Sequence, residues 1–309
     1  MYDILIYTEF MPKSFTDIGS YILGELTESG QGFLVLTIDE MNAKKMPHGQ
    51  IFKCDGQKLI LLGSVPWYPK ALLPLEEQKL LIVGEYGQYC FFNDNGLTGT
   101  RERIATHEGS PQSRGPLRRG CLIEKTPIVV GMARQVYQRQ GTVWENLEQG
   151  LPADNREVAG FEAVSGFSLK EIYAAGWHGE LWQFDGRAWH AINSPTNSLI
   201  TNMCFGGDGF VYACGRNGLF LRGRNNKWQV IASDMESNDF WGITWFKDKL
   251  YLSSMNGLFS WDGQELQAIS YGDEKPSSFY QLVASKNVLW SIGAKDVLSF
   301  DDKKWSRIG

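Results

Sequence analysis

Histidine is scarce in this chain. The 309 residues contain four, and none of His48, His107, His178 and His190 stands in the H-x-x-H or H-E-x-x-H spacing of a zinc site. A G-x-S-x-G elbow and a glycine-rich phosphate loop are also missing, so two common routes to acyl and phosphoryl transfer have no support. Cysteine is sparse and odd in number: Cys54, Cys90, Cys121, Cys204 and Cys214 include no C-x-x-C pair. They read as reduced thiols of a cytoplasmic protein rather than as a disulfide framework. No apolar run approaches eighteen residues, which excludes a helical membrane span. The opening MYDILIYTEF has neither a basic n-region nor a long apolar h-region, so no secretory leader is expected. A formal net charge of −5 gives no reason to expect nucleic-acid or anionic-membrane binding. No stretch of ten or more residues combines helical periodicity with caps. What remains is an all-β chain with no cofactor motif.

What is present is a repeat. Residues 249–269 read KLYLSSMNGLFSWDGQELQAI, and 209–231 read GFVYACGRNGLFLRGRNNKWQVI. Residues 170–192 (KEIYAAGWHGELWQFDGRAWHAI) and 287–308 (NVLWSIGAKDVLSFDDKKWSRI) keep the same register at a period of 39. Within one unit, 250–254 is a β-prone run, Gly257 marks a turn, 258–261 is a second run, and Asp262-Gly263 is a hairpin signal before 266–269. Asp-Gly suits such a turn because Gly tolerates positive φ and Asp bonds its own backbone. An apolar run at 240–246 supplies another strand. Four short antiparallel strands in about forty residues are the unit of a β-propeller blade.

Weaker copies occupy the first half. HGQIFKCDG at 48–56 matches HGELWQFDG at 178–186, and residues 80–92 and 127–147 are two further copies. Turn markers near 49, 87, 134, 179, 218, 257 and 296 predict seven blades in one domain spanning 1–309. Residues 3–7 form an extra strand expected to pair in or beside the last blade, since an open ring exposes sheet edges. Residues 93–125 read as the longest irregular segment, a mildly basic one carrying Arg101, Arg103, Arg114, Arg118 and Arg119.

Trp144, Trp189, Trp228 and Trp305 recur near the fourth strand, where a ring would fill the wedge between neighbouring blades. The spacings Asp185 to Trp189 and Asp301 to Trp305 resemble a degenerate Asp-box or WD-like hairpin. The preceding Ser/Thr and the spaced Gly of the box are absent, so the likeness implies hairpin geometry and no glycosidase activity. The run GRNGLFLRG at 215–223 is similar to the GRxGLxxRG-type blades of uncharacterised bacterial β-propeller repeat proteins.

In a propeller, the loops leading into each first strand share one face with the turns between second and third strands. On that face the repeat places Trp67, Tyr68, Glu85, Tyr86, Arg118, Arg119, Arg134, Arg156, Trp177, His178, Arg216, Asn217 and Phe240. Aromatic and Arg side chains at protruding positions are enriched at interface hot spots. Charge is sorted along the chain, with Asp17, Asp39, Glu40 and Glu85 on the first two blades and Arg118, Arg119, Arg134, Arg156 and Arg216 on the next three. A bipolar face orients a charged partner.

The reading that follows is a cytoplasmic, monomeric, non-catalytic binding protein that engages a protein partner through this face. Its concrete form is a bacterial immunity protein neutralising a cognate toxin. The alternative is a Ca-dependent, lactonase-like hydrolase with its site at the central channel, built from Asn155, Asn197, Asn238 and Asp239. Asn and Asp are also ordinary turn residues, which weighs against that alternative.

Overall fold

The structure is a computed structural model that describes residues 15–75, 79–106, 109–152, 159–231 and 238–308. Twenty-eight strands fall into seven four-stranded antiparallel sheets, each made of consecutive strands. The first blade holds β1 (Gly19–Leu26), β2 (Gly32–Ile38), β3 (Gly49–Asp55) and β4 (Lys58–Val65), with the short helix α1 (Asp39–Ala43) between β2 and β3. The second holds β5 (Pro69–Pro74), β6 (Leu80–Gly84), β7 (Gln88–Asn93) and β8 (Gly96–Arg103). A short helix α2 (Pro111–Arg114) precedes the third, which holds β9 (Leu117–Ile123), β10 (Thr126–Gly131), β11 (Val136–Gln140) and β12 (Val143–Asn146). The fourth and fifth begin at β13 (Phe161–Ser168) and β17 (Ile200–Phe205), the sixth and seventh at β21 (Phe240–Phe246) and β25 (Gln281–Ala284).

The core is divided into seven wedges, one between each pair of neighbouring blades. Leu36, Phe52, Trp290 and Val297 close the wedge between the last blade and the first. Ile172, Phe161 and Trp189 pack against Ile128 and Val136 of the third blade, and Tyr173 packs against Leu221 of the fifth. The recurrent tryptophans sit in these wedges. Trp144 meets Tyr89 of the preceding blade at 5.8 Å, Trp228 meets Tyr173 at 5.9 Å, and Trp305 stacks on Phe300 at 4.8 Å beside Phe246 of the sixth blade. In the sixth blade this role passes to Trp261 on the third strand, 5.5 Å from Tyr212.

The Asp-Gly hairpins carry the expected local bonds. Asp185 Oδ1 accepts from the Arg187 and Ala188 amides at 2.8 and 2.9 Å, and Asp262 and Asp301 repeat the pattern. Those amides, with His190, hold the Asp185 carboxyl down at about 2.

Among the described residues, the first and last blades are joined by hydrogen bonds and wedge packing. Gln281 bonds both the amide and the carbonyl of Gly24 at 3.0 Å, and the Tyr21 amide donates to Ala294 O at 2.8 Å. Lys295 Nζ reaches Gly19 O at 2.7 Å and Asp39 Oδ2 at 2.5 Å. The extra strand expected at 3–7 lies outside the described residues.

One sequence expectation is corrected here. Residues 93–125 are not irregular: they hold β8, the fourth strand of one blade, then α2 and β9, the first strand of the next. Three of their five arginines are drawn elsewhere. Arg114 pairs with Glu148, Arg118 with Glu162, and Arg119 enters the channel. The misreading came from β8, whose GLTGTRER is polar because it is an exposed outer strand.

Candidate functional site

The first five blades tie their two loops on one face together with a backbone hydrogen bond, Asp39 donating to Ile18 in the first. The first residue after the second strand donates to the residue before the first strand: Glu85 to Tyr68, Met132 to Pro116, Trp177 to Gly160, and Arg216 to Leu199. The chains cross so closely that Gly131, Gly176, Gly215 and Gly293 stand at the crossing, where a Cβ would collide with the facing carbonyl. The next residue along turns inward. Leu117, Phe161, Ile200, Phe240 and Phe279 occupy this equivalent position and are all buried.

That geometry sorts the sequence-predicted residues. Phe240 does not protrude, because it is the wedge plug of the sixth blade. Trp67 does not protrude either, because its ring lies over Gly84, in space that a side chain there would occupy. Arg119 is on β9 and faces the channel rather than a loop. Arg118 pairs with Glu162 Oε1 at 3.2 Å, and the same oxygen accepts from Trp177 Nε1 at 2.8 Å. Arg134 grips Glu180 with two bonds, at 2.7 and 2.5 Å, across the seam between the third and fourth blades. Tyr68 and Glu85 are half-buried, with Glu85 3.7 Å from Lys70. Exposed on the face are Tyr86, His178, Arg216 and Asn217. His178 and Asn217 adopt the left-handed backbone at the turn apex, with φ of 57° in both. Arg156, like Asn155, lies outside the described residues.

The bipolar charge expected of this face is largely cancelled. Glu162 and Glu180 meet Arg118 and Arg134, Asp239 stands 3.9 Å from Arg216, and Lys295 neutralises Asp39. Burial opposes ionisation of Asp39, but hydrogen bonds from Lys295 and Ser20 outweigh it and hold the carboxyl below its usual value.

Apolar exposure takes the place of charge. Phe15, Ile18 and Met46 of the first blade, Tyr86 of the second, Met255 of the sixth and Tyr280 of the seventh are each 36–48% exposed. These blades are consecutive around the closed ring, so the six side chains form one arc. On the remaining three blades the same face is lined by ion pairs. A surface that is apolar on one side and tightly paired on the other is suited to seat a protein rather than a small charged ligand. The sequence puts most of these six in loops of this face but singles out only Tyr86 as a site residue, because residue type is weighed without position. In the loop carrying Phe279 and Tyr280, the repeat marks Phe279 as the inward plug and leaves Tyr280 outside.

Among the described residues, no group of three or more His, Cys, Asp or Glu is placed to hold a metal ion. Asp239, a candidate Ca ligand, gives one oxygen to the Asn217 amide at 2.9 Å and turns the other toward Arg216. No helix among the described residues is long and apolar enough to cross a membrane. Burial pushes the thiols of Cys54, Cys90, Cys121 and Cys214 up to about 12, so they stay protonated and unreactive at neutral pH.

Comparison with known proteins adds a full-length relative. The chain is 35% identical over 307 residues to the immune protein Tsi7 of Pseudomonas aeruginosa, covering 96% of this chain and 100% of that protein. No family model matches. Among solved structures, a catalytically inactive virginiamycin B lyase of Staphylococcus aureus with quinupristin superposes with a TM-score of 0.71 at 9% identity, covering 94% of this chain and 96% of that one. YCF48 bound to a D1 peptide gives 0.67 at 16% identity, with 92% of each chain covered. At these identities the two structures speak to the fold alone.

Proposed function

This chain belongs to the family of the immune protein Tsi7, and from that premise we propose that it is an immunity protein that binds and neutralises a cognate toxin. The carrying observation is the extent of the match. It runs the whole length of the relative, so the propeller is shared end to end and not as one borrowed repeat. The binding surface is the face bearing the first-strand loops and the turns between second and third strands. On it the arc of Phe15, Ile18, Met46, Tyr86, Met255 and Tyr280 supplies the apolar anchors. Exposed aromatic and Met side chains bury large area at small entropic cost, which is the composition of interface hot spots. The ion-paired side of the face forms the polar rim.

The protein acts as a cytoplasmic monomer in this proposal. Five free cysteines, three of them fully buried, suit a reducing compartment. The test is capture of the tagged chain from its native host, followed by co-expression of any captured toxin with and without it. A stoichiometric toxic protein whose growth arrest is relieved by this chain is the expected result. A purified toxin that arrests growth equally in its presence, with no complex by size-exclusion chromatography, overturns the proposal.

A further inference from the structure

The lower half of the central channel holds a cavity of about 1000 Å³ that the proposed toxin-binding face does not use. On most inner strands the lining begins partway down, as at Glu25 on β1, Arg119 on β9 and Asn202 on β17, and it covers β25 from Gln281 onward. The cavity continues to the loops around residues 27–31 and Gly207, on the face opposite the apolar arc.

Most polar groups in its wall are already spent. Gln281 holds the Gly24 backbone, and Asn202 accepts from the Met203 amide at 2.8 Å and donates to Trp241 O at 3.3 Å. Two charged groups on its inner strands are not fully spent. Arg119 Nε donates to Glu162 O at 3.0 Å, while its two terminal nitrogens have no partner among the described residues. Arg119 is half-buried and lines the cavity. Glu25 Oε1 accepts from the Leu26 amide at 3.0 Å, and its other oxygen has no hydrogen-bond donor among the described residues. The two side chains sense each other's charge without forming an ion pair.

We propose that this cavity binds a small zwitterionic molecule, its carboxylate on the Arg119 fork and its ammonium at the free oxygen of Glu25. The planar guanidinium matches a carboxylate with two parallel bonds, and a carboxylate side chain suits an ammonium. A ligand bearing both charges satisfies both groups, whereas a simple anion satisfies Arg119 and is repelled by Glu25. Phe33, Ile243 and Trp245 give an apolar body a surface to lie on. The volume admits anything up to dipeptide size.

The experiment is isothermal titration of the full chain with L-leucine, L-phenylalanine and L-leucyl-L-leucine. N-acetyl-L-leucine and L-leucinamide serve as single-charge controls. Saturable one-to-one binding of at least one zwitterion is expected, weakened about tenfold or more in both controls and lost in Arg119→Met. Glu25→Gln weakens L-leucine but does not weaken N-acetyl-L-leucine, which is freed of its repulsion by the carboxylate. If Arg119→Met does not fold, Arg119→Lys keeps the charge without the fork and shows the same loss. The proposal is overturned by no saturable binding of any zwitterion up to about 10 mM, by N-acetyl-L-leucine binding as well as L-leucine, or by undiminished binding in both variants. Toxin affinity, read in parallel, stays unchanged in these variants because the cavity opens on the other face, so failure of either reading leaves the other standing.

Discussion

Replacing Arg134 with Met asks whether this arginine clamps two blades or contacts a partner. Its guanidinium makes two bonds to Glu180, and the two side chains are only 11% and 18% exposed. Removing one member of a largely buried pair costs about 3–5 kcal/mol, because the other charge is stranded. Here Glu180 keeps a bond from Trp182 Nε1 at 3.1 Å, which brings the expected loss below that range, to about 2–3 kcal/mol. Met is chosen because residue 134 has φ of 53°, and a glycine or a longer backbone change would alter the strain as well as the charge. With an unfolding entropy of about 2.1 cal/mol/K per residue, a 309-residue domain loses roughly 3–5 °C in Tm. Adding Glu180→Gln removes the stranded charge but keeps an acceptor for Trp182, so the double variant regains about half the loss. Differential scanning calorimetry reads the stability and titration against the toxin reads the affinity. A Tm unchanged in Arg134→Met, with toxin affinity down about tenfold, would refute the clamp and return Arg134 to the interface.

Three further outcomes follow from the same packing. Burial pushes Glu25 up to about 7, against the Leu26 amide and the Arg119 charge that pull it down. Its raised value means the folded state keeps a proton the unfolded chain releases, so this contribution to stability is full below about pH 4.5, declines up to about pH 7, and stays low above. Glu25→Gln is therefore expected to stabilise the fold by about 3 kcal/mol at pH 8 and by almost nothing near pH 4, measured by urea titration at the two pH values. Asp185, held at about 2 by the Ala188 and Arg187 amides and His190, stabilises above its ordinary value of 3.8, and that contribution is lost as pH falls toward 2. The Tm gap between wild type and Asp185→Ala should accordingly shrink from pH 5 to pH 2. Gly32→Ala places a methyl against the Trp290 ring at the closing seam and is expected to cost about 3 kcal/mol, whereas Gly56→Ala, with nothing near its missing Cβ, costs only its backbone strain.

The blade count and the loop face were legible because a period of 39 residues survives in four copies, and because Gly179, Gly218 and Gly257 mark the same turn in three of them. Side-chain direction was harder. Phe240 was assigned outward on residue type, yet it aligns with Phe161, Ile200 and Phe279, which all plug wedges. A register comparison across the repeat would have turned it inward. Charge pairing was not legible at all. Glu180 lies 46 positions from Arg134, and Glu162 serves Arg118 from the next blade, so their meeting depends on how adjacent blades are seated. Mapping the repeat puts Arg118 and Arg119 in the loop entering the inner strand, whereas β9 already begins at Leu117 and Arg119 lines the channel.

The measurement that bears most directly on the central claim is toxin affinity of a Tyr86→Ala/Met255→Ala/Tyr280→Ala variant beside an Arg216→Ala/His178→Ala variant. All five side chains are exposed on the same face, so both proteins should keep the wild-type Tm within about 2 °C. Loss of two or three hot-spot anchors is worth about 2–4 kcal/mol, a weakening of roughly 30- to 1000-fold for the arc variant, with less than tenfold for the other. Wild-type affinity in the arc variant, together with a large loss in the Arg216 and His178 variant, would contradict the account and move the toxin to the ion-paired side of the ring.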